Sequence, residues 1–359
     1  MHNDDRPGGQ TMRARRPVLA VAALATLLSA CSEAPSLLSG APSSSSSLPA
    51  SGASPSPSSS TASPSPVALA SPVSVPSDGR ILFVIEGSGE NRPAFLDKNG
   101  LHLIPTVLDT TLAKASWASR DTIIFDSERD VRRHIFRMGL DGRDVVELTS
   151  GDAIQERPAI SPDGSTIAYA DVVDAYLGAD LGLHLANADG TNPRALTKGH
   201  NGGVDGNDTS PAFSPDGQWI AFERAVDYDS GKGGLFLIRI DGKGLRRLTD
   251  DTLGAGYPRW SPDGKRILFS QRVEATTFAA GPLWVVDIAG GKPTPLTDPK
   301  DPGISFSGDW SPDGGQIVFD YFVPGASQTE LRVVNADGTH PSTLWTAPGY
   351  GAETPDWWP

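Results

Sequence analysis

Acidic side chains are the most numerous groups in this sequence that could bind a ligand. Ten of them fall in segments that lead into a set of repeated apolar strands, where only Lys198 and Lys300 are basic, and the whole chain has a formal net charge of −13. A patch of this sign attracts cations and basic partners and repels the phosphates of nucleic acids. We therefore predict a negatively charged ligand-binding mouth. Its candidate residues are Asp152, Glu156, Asp205, Asp208, Asp250, Asp251 and Glu353, and Asp109, Asp298 and Asp301 complete the ten.

Two oxygen-rich segments could hold a cation. "GHNGGVDGND" (199–208) offers Asp205 and Asp208, and "DYDSG" (227–231) offers Asp227 and Asp229. Calcium prefers carboxylate and carbonyl oxygens in such loops, although neither segment has the closing Glu of a recognised calcium loop. Calcium therefore stays open as a cofactor beside the alternative that these segments are ordinary polar loops, and we predict no other cofactor.

The known catalytic motifs are missing from the sequence. It contains no H-E-x-x-H, no paired cysteines and no G-x-S-x-G elbow. The six histidines are scattered, and none has a second metal-ligating residue at a recognised spacing; they are His2, His102, His134, His184, His200 and His340. We expect a protein without catalytic activity, and an active site assembled from distant segments is the alternative.

The N-terminal 30 residues are typical of an export signal. Arg13, Arg15 and Arg16 precede the apolar run "PVLAVAALATLLSA", which is too short to span a bilayer. Leu28-Ser29-Ala30-Cys31 resembles the bacterial lipobox, in which the cysteine is lipidated and becomes the new N-terminus. Residues 1–30 are thus predicted to be a lipoprotein signal peptide with its true start at Met12, and Cys31, the single cysteine, is predicted to be the lipid attachment site.

The next segment, 31–75, is predicted to be a disordered linker. From 36 to 77 the chain is almost entirely Ser, Pro, Ala, Leu, Val and Gly, without one charged residue. Such a composition buries too little apolar surface to offset the entropy of ordering the chain. The folded part of the protein is then expected at 76–359.

A repeated phrase organises that folded part. Ser-Pro-Asp-Gly begins at Ser161, Ser214, Ser261 and Ser311, and degenerate copies match at Ala118 and Trp358, so that these positions are 43 to 53 residues apart. Pro and Asp-Gly are typical of tight turns, the residues on either side alternate as in strands, and each unit ends near a Leu-Thr pair. Six units of this length predict an all-β fold, a six-bladed β-propeller of four-stranded blades.

The two ends of the chain predict how the ring closes. The folded part starts with a second strand, "RILFVI", and stops after a first strand, "TPDWWP". Each end supplies what the other lacks, so we predict a blade built from one C-terminal and three N-terminal strands. This closure removes exposed sheet edges, which otherwise promote aggregation.

The repeated positions are expected to be scaffold. The Asp of each phrase is predicted to accept local backbone hydrogen bonds in the turn, and its Gly to take a positive φ. The residue before each phrase is apolar and is expected to pack between neighbouring blades near the ring centre; this set is Trp117, Ile160, Phe213, Trp260, Trp310 and Trp357.

The phrase "P-x-[WF]-S-P-D-G-x-x-I-x-F" with its following Leu-Thr resembles the TolB-type β-propeller repeat over nearly all of 76–359. That resemblance implies a propeller acting at the bacterial envelope. Similar repeats occur in the propellers of prolyl oligopeptidase-like peptidases and of some oligosaccharide lyases.

Together these features predict a lipid-anchored extracytoplasmic protein, at the cell surface or in the periplasm. Its propeller is expected to bind an envelope protein, a peptide or a glycan, with the membrane contacted through the lipid and no nucleic acid bound. Two alternatives remain open: a carbohydrate lyase or hydrolase with its site at the mouth of the ring, and a purely structural envelope protein.

Overall fold

The computed structural model describes residues 79–87, 90–105, 111–129, 132–172, 182–198, 208–227, 232–272, 280–322, 325–326 and 328–358. This part of the chain forms 24 strands in six antiparallel sheets of four and one short 3₁₀ turn. Among the described residues, no helix is long and apolar enough to cross a membrane. Cys31, the predicted signal peptide and the predicted linker lie outside the described residues.

The six sheets are six blades, and the strands of each blade follow one another from an innermost first strand to an outermost fourth strand. Blade 1 is β24 (Gly351–Trp357), β1 (Ile81–Gly87), β2 (Glu90–Asp97) and β3 (Gly100–Leu103); blade 2 is β4 (Thr111–Ser119), β5 (Thr122–Arg129), β6 (Arg132–Gly139) and β7 (Val146–Glu147); blade 3 is β8 (Ile154–Ile160), β9 (Thr166–Val172), β10 (Gly182–Asn187) and β11 (Arg194–Ala195). Blade 4 is β12 (Asp208–Phe213), β13 (Trp219–Asp227), β14 (Lys232–Arg239) and β15 (Arg246–Arg247); blade 5 is β16 (Ala255–Trp260), β17 (Arg266–Arg272), β18 (Ala280–Asp287) and β19 (Thr294–Pro295); blade 6 is β20 (Gly308–Trp310), β21 (Gln316–Phe322), β22 (Thr329–Asn335) and β23 (Ser342–Trp345).

The six first strands form a closed ring. Each contacts the first strand of the blades before and after it, and β24 contacts both β20 and β4. We call the space that they enclose the central channel. Because the strands of a blade alternate in direction, the Ser-Pro-Asp-Gly turns lie at one end of the ring, the turn face. The segments that enter the first strands lie at the other end, the mouth face. The predicted six-bladed all-β fold is confirmed.

The repeated Ser-Pro-Asp-Gly phrase is a hydrogen-bonded turn, as predicted. In all four copies the Ser Oγ donates to the Asp Oδ1 over 2.6 Å, and the same oxygen accepts the backbone N–H two residues further on. The glycines have φ between 67° and 70°, a region that disfavours residues with a Cβ. These carboxylates therefore have a structural role in the turns.

The Leu-Thr pairs fix the outer edge of four blades. The Thr Oγ1 accepts a hydrogen bond from the backbone N–H of the third strand of its own blade at 2.9 or 3.0 Å, in the pairs Thr149–Ile135, Thr197–Leu183, Thr249–Leu235 and Thr297–Leu283. The fourth strands of these blades are only two residues long. The threonine hydroxyl thus continues the pairing of a short edge strand, and short edges resist pairing with other chains.

The tryptophans that precede the phrases pack between blades, as predicted. Trp117, Trp260, Trp310 and Trp357 are at most 9% exposed. Trp117 packs against blade 1 residues and donates from Nε1 to the Asp356 carbonyl at 3.0 Å. Trp260 donates in the same way to the Ala212 carbonyl at 3.1 Å.

The ring closes by one C-terminal and three N-terminal strands. β24 pairs with β1 from Ile81↔Trp357 to Glu86↔Gly351, and the backbone N–H of Trp358 donates to the Arg80 carbonyl at 2.8 Å. The predicted closure is confirmed, and it is held by non-covalent contacts.

Trp357→Ala tests how far the fold depends on this closure. We expect the free energy of unfolding to fall by about 3–5 kcal/mol, the usual cost of truncating a buried aromatic side chain to Ala. Urea denaturation followed by circular dichroism measures the change. Leu245→Ala, at a side chain that is 48% exposed on the turn face, is the control and should change it by less than about 0.5 kcal/mol. A Trp357→Ala protein as stable as the parent would contradict a closure that depends on this strand.

Candidate functional site

Only part of the predicted acidic mouth is a solvent-exposed surface. Asp152 and Asp250 are exposed on the mouth face. Asp250 also accepts the Thr252 backbone N–H at 2.9 Å and so caps the short turn η1 (Asp251–Leu253). Asp251 forms an ion pair with Arg247. Asp298 and Asp301, which enter blade 6, are exposed as well. Carboxylates of this kind can attract a basic partner.

Asp208 is not a mouth carboxylate, which corrects the sequence prediction. Its side chain is 0% exposed and accepts two hydrogen bonds from Arg224, Nε to Oδ1 at 2.6 Å and Nη2 to Oδ2 at 2.7 Å. The first residue of β12 lies directly opposite Arg224 of β13, and the guanidinium packs over the Phe236 ring at 4.9 Å. A buried charge of this kind needs its partner, so Asp208 is structural and has no free oxygen for a cation.

Glu156 also differs from the prediction, because its carboxylate is engaged by its own neighbour. The Arg157 Nε donates to Glu156 Oε1 at 3.3 Å, and both side chains are about three-quarters buried. The charge of Glu156 is thus largely neutralised within the first strand β8.

Glu353 is half-buried on the closing strand β24, where it pairs with Val84 of β1, and does not lie on an exposed loop. Burial raises its pKa well above the ordinary value, and the charge of Glu86 and a side-chain hydrogen bond with Glu86 raise it further. Asp320 lies nearby and accepts hydrogen bonds from the backbone N–H groups of Phe306 at 2.7 Å and Ser307 at 3.0 Å. Burial nevertheless raises the pKa of Asp320 to about 6. Glu353 and Asp320 are therefore protonated more readily than ordinary acids.

The predicted cation sites find no support in the described residues. Asp205 and Asp229 lie outside them, as does Asp109 of the predicted mouth, and Asp227 ends β13 without a described side chain. Within the described part of the chain, no group of three or more His, Cys, Asp or Glu residues could hold a metal ion. Calcium binding therefore stays a prediction.

The first strands contain a set of backbone bulges that the sequence pattern did not predict. Arg157, Ser210, Tyr257 and Thr354 all have φ between 52° and 56°, in the left-handed region, and all four lie within bulges of the pairing between first and second strands. Each stands four residues before the Ser position of its phrase and directly before a proline. The repeated x-Pro dipeptide was the signal that could have revealed them. Such conformations cost about 1–3 kcal/mol each and gather at functional sites.

The side chains at these bulges reach across the central channel. Arg157 of blade 3 places its guanidinium 4.6 Å from the ring centre of Tyr257 of blade 5, and its Nη1 donates to the Ser210 Oγ of blade 4 at 3.4 Å. Lys114 of blade 2 is 5% exposed. Burial lowers its pKa well below the ordinary value, and the positive charges of Arg259 and Arg157 lower it further.

Two partly buried aspartates, Asp309 and Asp356, complete the polar lining of the channel. Asp309 Oδ2 accepts the Trp357 backbone N–H at 2.8 Å, and Asp356 Oδ2 accepts that of Trp117 at 2.6 Å, so each carboxyl bonds the next blade in the ring. Burial, and then the charge of Asp356, raise the pKa of Asp309 to about 7, while Arg259 opposes the shift. Burial also raises the pKa of Asp356.

The raised pKa values predict that stability falls as the pH rises. An aspartate with a pKa near 3.9 when unfolded and about 7 when folded stabilises the fold fully at low pH, and this contribution is lost as the pH rises through the folded pKa. The turn aspartates have lowered pKa values because of their hydrogen bonds, and their contribution is lost only in strong acid. We therefore expect the contribution of Asp309 to the unfolding free energy to decrease between pH 5 and pH 8, whereas Lys114, whose pKa is lowered, acts in the opposite direction.

Asp309→Asn isolates this effect, because asparagine keeps an oxygen for the Trp357 N–H and has no proton to lose. Its unfolding free energy should vary less between pH 5 and pH 8 than that of the parent, as measured by urea denaturation in buffers of constant ionic strength. Asp287→Asn, at an exposed turn of blade 5, is the control and should leave the profile unchanged. An Asp309→Asn protein whose unfolding free energy varies between pH 5 and pH 8 as much as that of the parent would contradict the assignment.

Relatives of known sequence match part of this chain. The chain is 28% identical to the uncharacterized protein Atu1656 of Agrobacterium fabrum over 170 residues, 46% of this chain and 54% of that protein. It is 32% identical to a TolB homolog of Chlorobaculum tepidum over 127 residues, 35% of this chain and 26% of that protein. The matches thus span about half of one relative and a quarter of the other.

Solved structures show the same fold. TolB from Acinetobacter baumannii superposes with a TM-score of 0.61 at 18% identity, covering 78% of this chain and 67% of that one. The family model of the TolB beta propeller domain matches residues 172–359, just over half of the sequence. The chain therefore belongs to the TolB β-propeller domain family.

Proposed function

We propose that this protein is an extracytoplasmic binding module, tethered to a membrane through a lipid on Cys31, that captures a basic segment of an envelope protein or peptide at its mouth face. A TolB-like propeller is, in general, a binding or envelope module. The location, the lipid and the kind of partner go beyond that general function. They are supported by the lipobox-like sequence at 28–31 and by the charges on the mouth face.

The observation that carries the proposal is the arrangement of carboxyls at the mouth. Exposed aspartates stand on the segments that enter the blades, and the Glu86–Glu353 pair lies at the seam of the closing blade. The exposed charges attract a basic partner over distance. A lysine or arginine that approaches the seam favours the ionised form of Glu353, whose pKa is raised. Binding should therefore release a proton and become tighter as the pH rises.

The charges needed for attraction can be removed without breaking turns. Asp152, Asp250 and Asp298 are exposed on the mouth face, and the latter two accept backbone N–H groups that asparagine can also serve. The triple Asp→Asn variant should bind a hexalysine peptide more slowly, with an association rate reduced severalfold at low salt. The difference should shrink as salt is added, because exposed charges accelerate association more than they hold a complex.

The matched control is the triple Asp→Asn variant at Asp141, Asp189 and Asp337, whose side chains accept turn N–H groups on the opposite face. Surface plasmon resonance on both variants and the parent gives the rates. Equal rates for the two variants would show that the mouth face is only a solvated surface.

Membrane tethering is tested at Cys31. In cells, Cys31→Ala should move the protein from the membrane fraction to the soluble fraction, since stable anchoring needs the full lipid modification. Ser32→Ala, one residue later, is the control and should stay with the membranes. A Cys31→Ala protein that still sediments with membranes after a high-salt wash would contradict the anchor.

A further inference from the structure

Three side chains of blade 3 each bury a polar atom that has no hydrogen-bond partner among the described residues. These atoms are the Gln155 Oε1, the Asp171 Oδ1 and the His184 Nδ1. Gln155 is 5% exposed, and the side chains of Asp171 and His184 are 18% and 20% exposed. Buried polar groups in proteins are nearly always hydrogen-bonded, so each exception needs an explanation. Three exceptions on adjacent strands indicate a ligand that the described chain does not supply.

The strand pairing places the three side chains on one face of the blade. Gln155 of β8 lies directly opposite Asp171 of β9, and residues that oppose each other in this way have their Cβ atoms about 4.5–5.5 Å apart. His184 of β10 lies opposite Tyr169, which precedes Asp171 by two residues and therefore lies on the same face. The distance from His184 Nδ1 to Asp171 Oδ2 is 3.5 Å. Asp171 thus stands between the other two groups.

This face of blade 3 packs against blade 2. Tyr169 belongs to an apolar cluster that also contains Ile124 and Ile135 of blade 2. Its ring stacks on the His184 imidazole, with the ring centroids 5.8 Å apart and an angle of 18° between the planes. The stacking fixes the imidazole in the interface between the two blades, with Nδ1 near Asp171.

The distance between His184 and Asp171 discriminates between kinds of ligand. At 3.5 Å, the Nδ1 and Oδ2 atoms are too far apart for a good hydrogen bond. Two ligands of one tetrahedral zinc ion, each about 2.1 Å from the metal, are about 3.4 Å apart. Two acceptors of one ammonium group, each about 2.8 Å from its nitrogen, would be about 4.6 Å apart. The geometry fits a metal ion better than a lysine side chain.

The chemistry of the three groups agrees with that geometry. Imidazole nitrogen and carboxylate oxygen are ordinary ligands of zinc, and the amide oxygen of Gln155 supplies a third. Burial raises the pKa of Asp171, and the charge of His184 lowers it. A dication beside the carboxylate would favour its ionised form further. Arg133, which blade 2 presents two residues before Ile135, is paired with Asp126 at 3.2 Å.

We propose that Gln155, Asp171 and His184 form a binding site for a divalent transition-metal ion, with zinc as the best match, in the interface between blades 2 and 3. The protein ligands are the His184 Nδ1, an Asp171 carboxylate oxygen and the Gln155 Oε1. Solvent completes the coordination, because the side chains of Asp171 and His184 are partly exposed. The site does not include the exposed carboxylates of the mouth face and does not depend on the function proposed for them.

Calorimetric titration with zinc chloride tests the site in the purified full-length protein after dialysis against a chelator. We expect zinc to bind and to raise the temperature of thermal unfolding, since a ligand of the folded state stabilises that state. Calcium chloride should not displace the zinc, because calcium prefers about six to eight oxygen ligands.

His184→Phe removes the nitrogen ligand and keeps an aromatic ring to stack on Tyr169. Its affinity for zinc should fall about 100-fold or more, because the loss of a residue that merely supports a metal ligand already costs about 10- to 100-fold. Asp171→Asn keeps the shape of the side chain and removes its charge, and it should show a similar loss. This second variant provides the comparison if His184→Phe does not fold.

His102→Phe is the matched control. His102 also stands beside an aspartate and stacks on an aromatic ring, but its Nε2 lies 2.9 Å from Asp97 Oδ1, a complete hydrogen bond. This variant should bind zinc as the parent does. Absence of zinc binding by the parent, equal zinc affinities of the parent and the blade 3 variants, or displacement of zinc by calcium would each overturn the proposal.

Discussion

The pairing of β24 with β1 is the contact on which the rest of the molecule depends. It joins the two ends of the folded chain into one blade, and only then do the six first strands enclose a channel. The closing strand also carries Glu353 and Asp356, and it donates the Trp357 N–H to Asp309 of blade 6. The seam between the chain ends is thus both a structural closure and one wall of the candidate site, because the same seven residues serve both purposes.

The blades are linked across the channel wall by side chains that serve the backbone of a neighbour. Asp309 and Asp356 each bond the N–H that precedes the next phrase, while Trp117 and Trp260 donate back to a carbonyl of the preceding blade. These bonds hold the carboxyls of Asp309 and Asp356 at partly buried positions, and burial raises their pKa values. Charge inside the ring is therefore coupled to the ring's own stability, and a ligand that changes that charge will change the stability as well.

The fold could be predicted from the sequence because its signals are local and repeated. Asp163 and the equivalent aspartates of the other three phrases are turn residues in every copy. In the short strands around them apolar residues recur at every second position, a period that a helix does not have. The closure was also predictable, because the N-terminal part of the repeat region lacked a first strand and the C-terminal part supplied one. The candidate site was predicted less well. Asp208 and Glu353 looked like loop residues in the sequence, but pairing with Arg224 and with β1 places them inside strands.

The contacts of Arg157 with Ser210 and Tyr257 could not be foreseen, because they join three blades that are far apart in the chain. The most direct test of the structure as a whole is amide hydrogen exchange on residues 79–87 and 351–358. If the seam closes the ring, the amides of β1 that pair with β24 should exchange only as slowly as global unfolding allows, like those in the middle strands of blades 3 to 5. Exchange at the seam that is much faster than in those blades would show that β24 frays independently, and would contradict a ring whose channel depends on it.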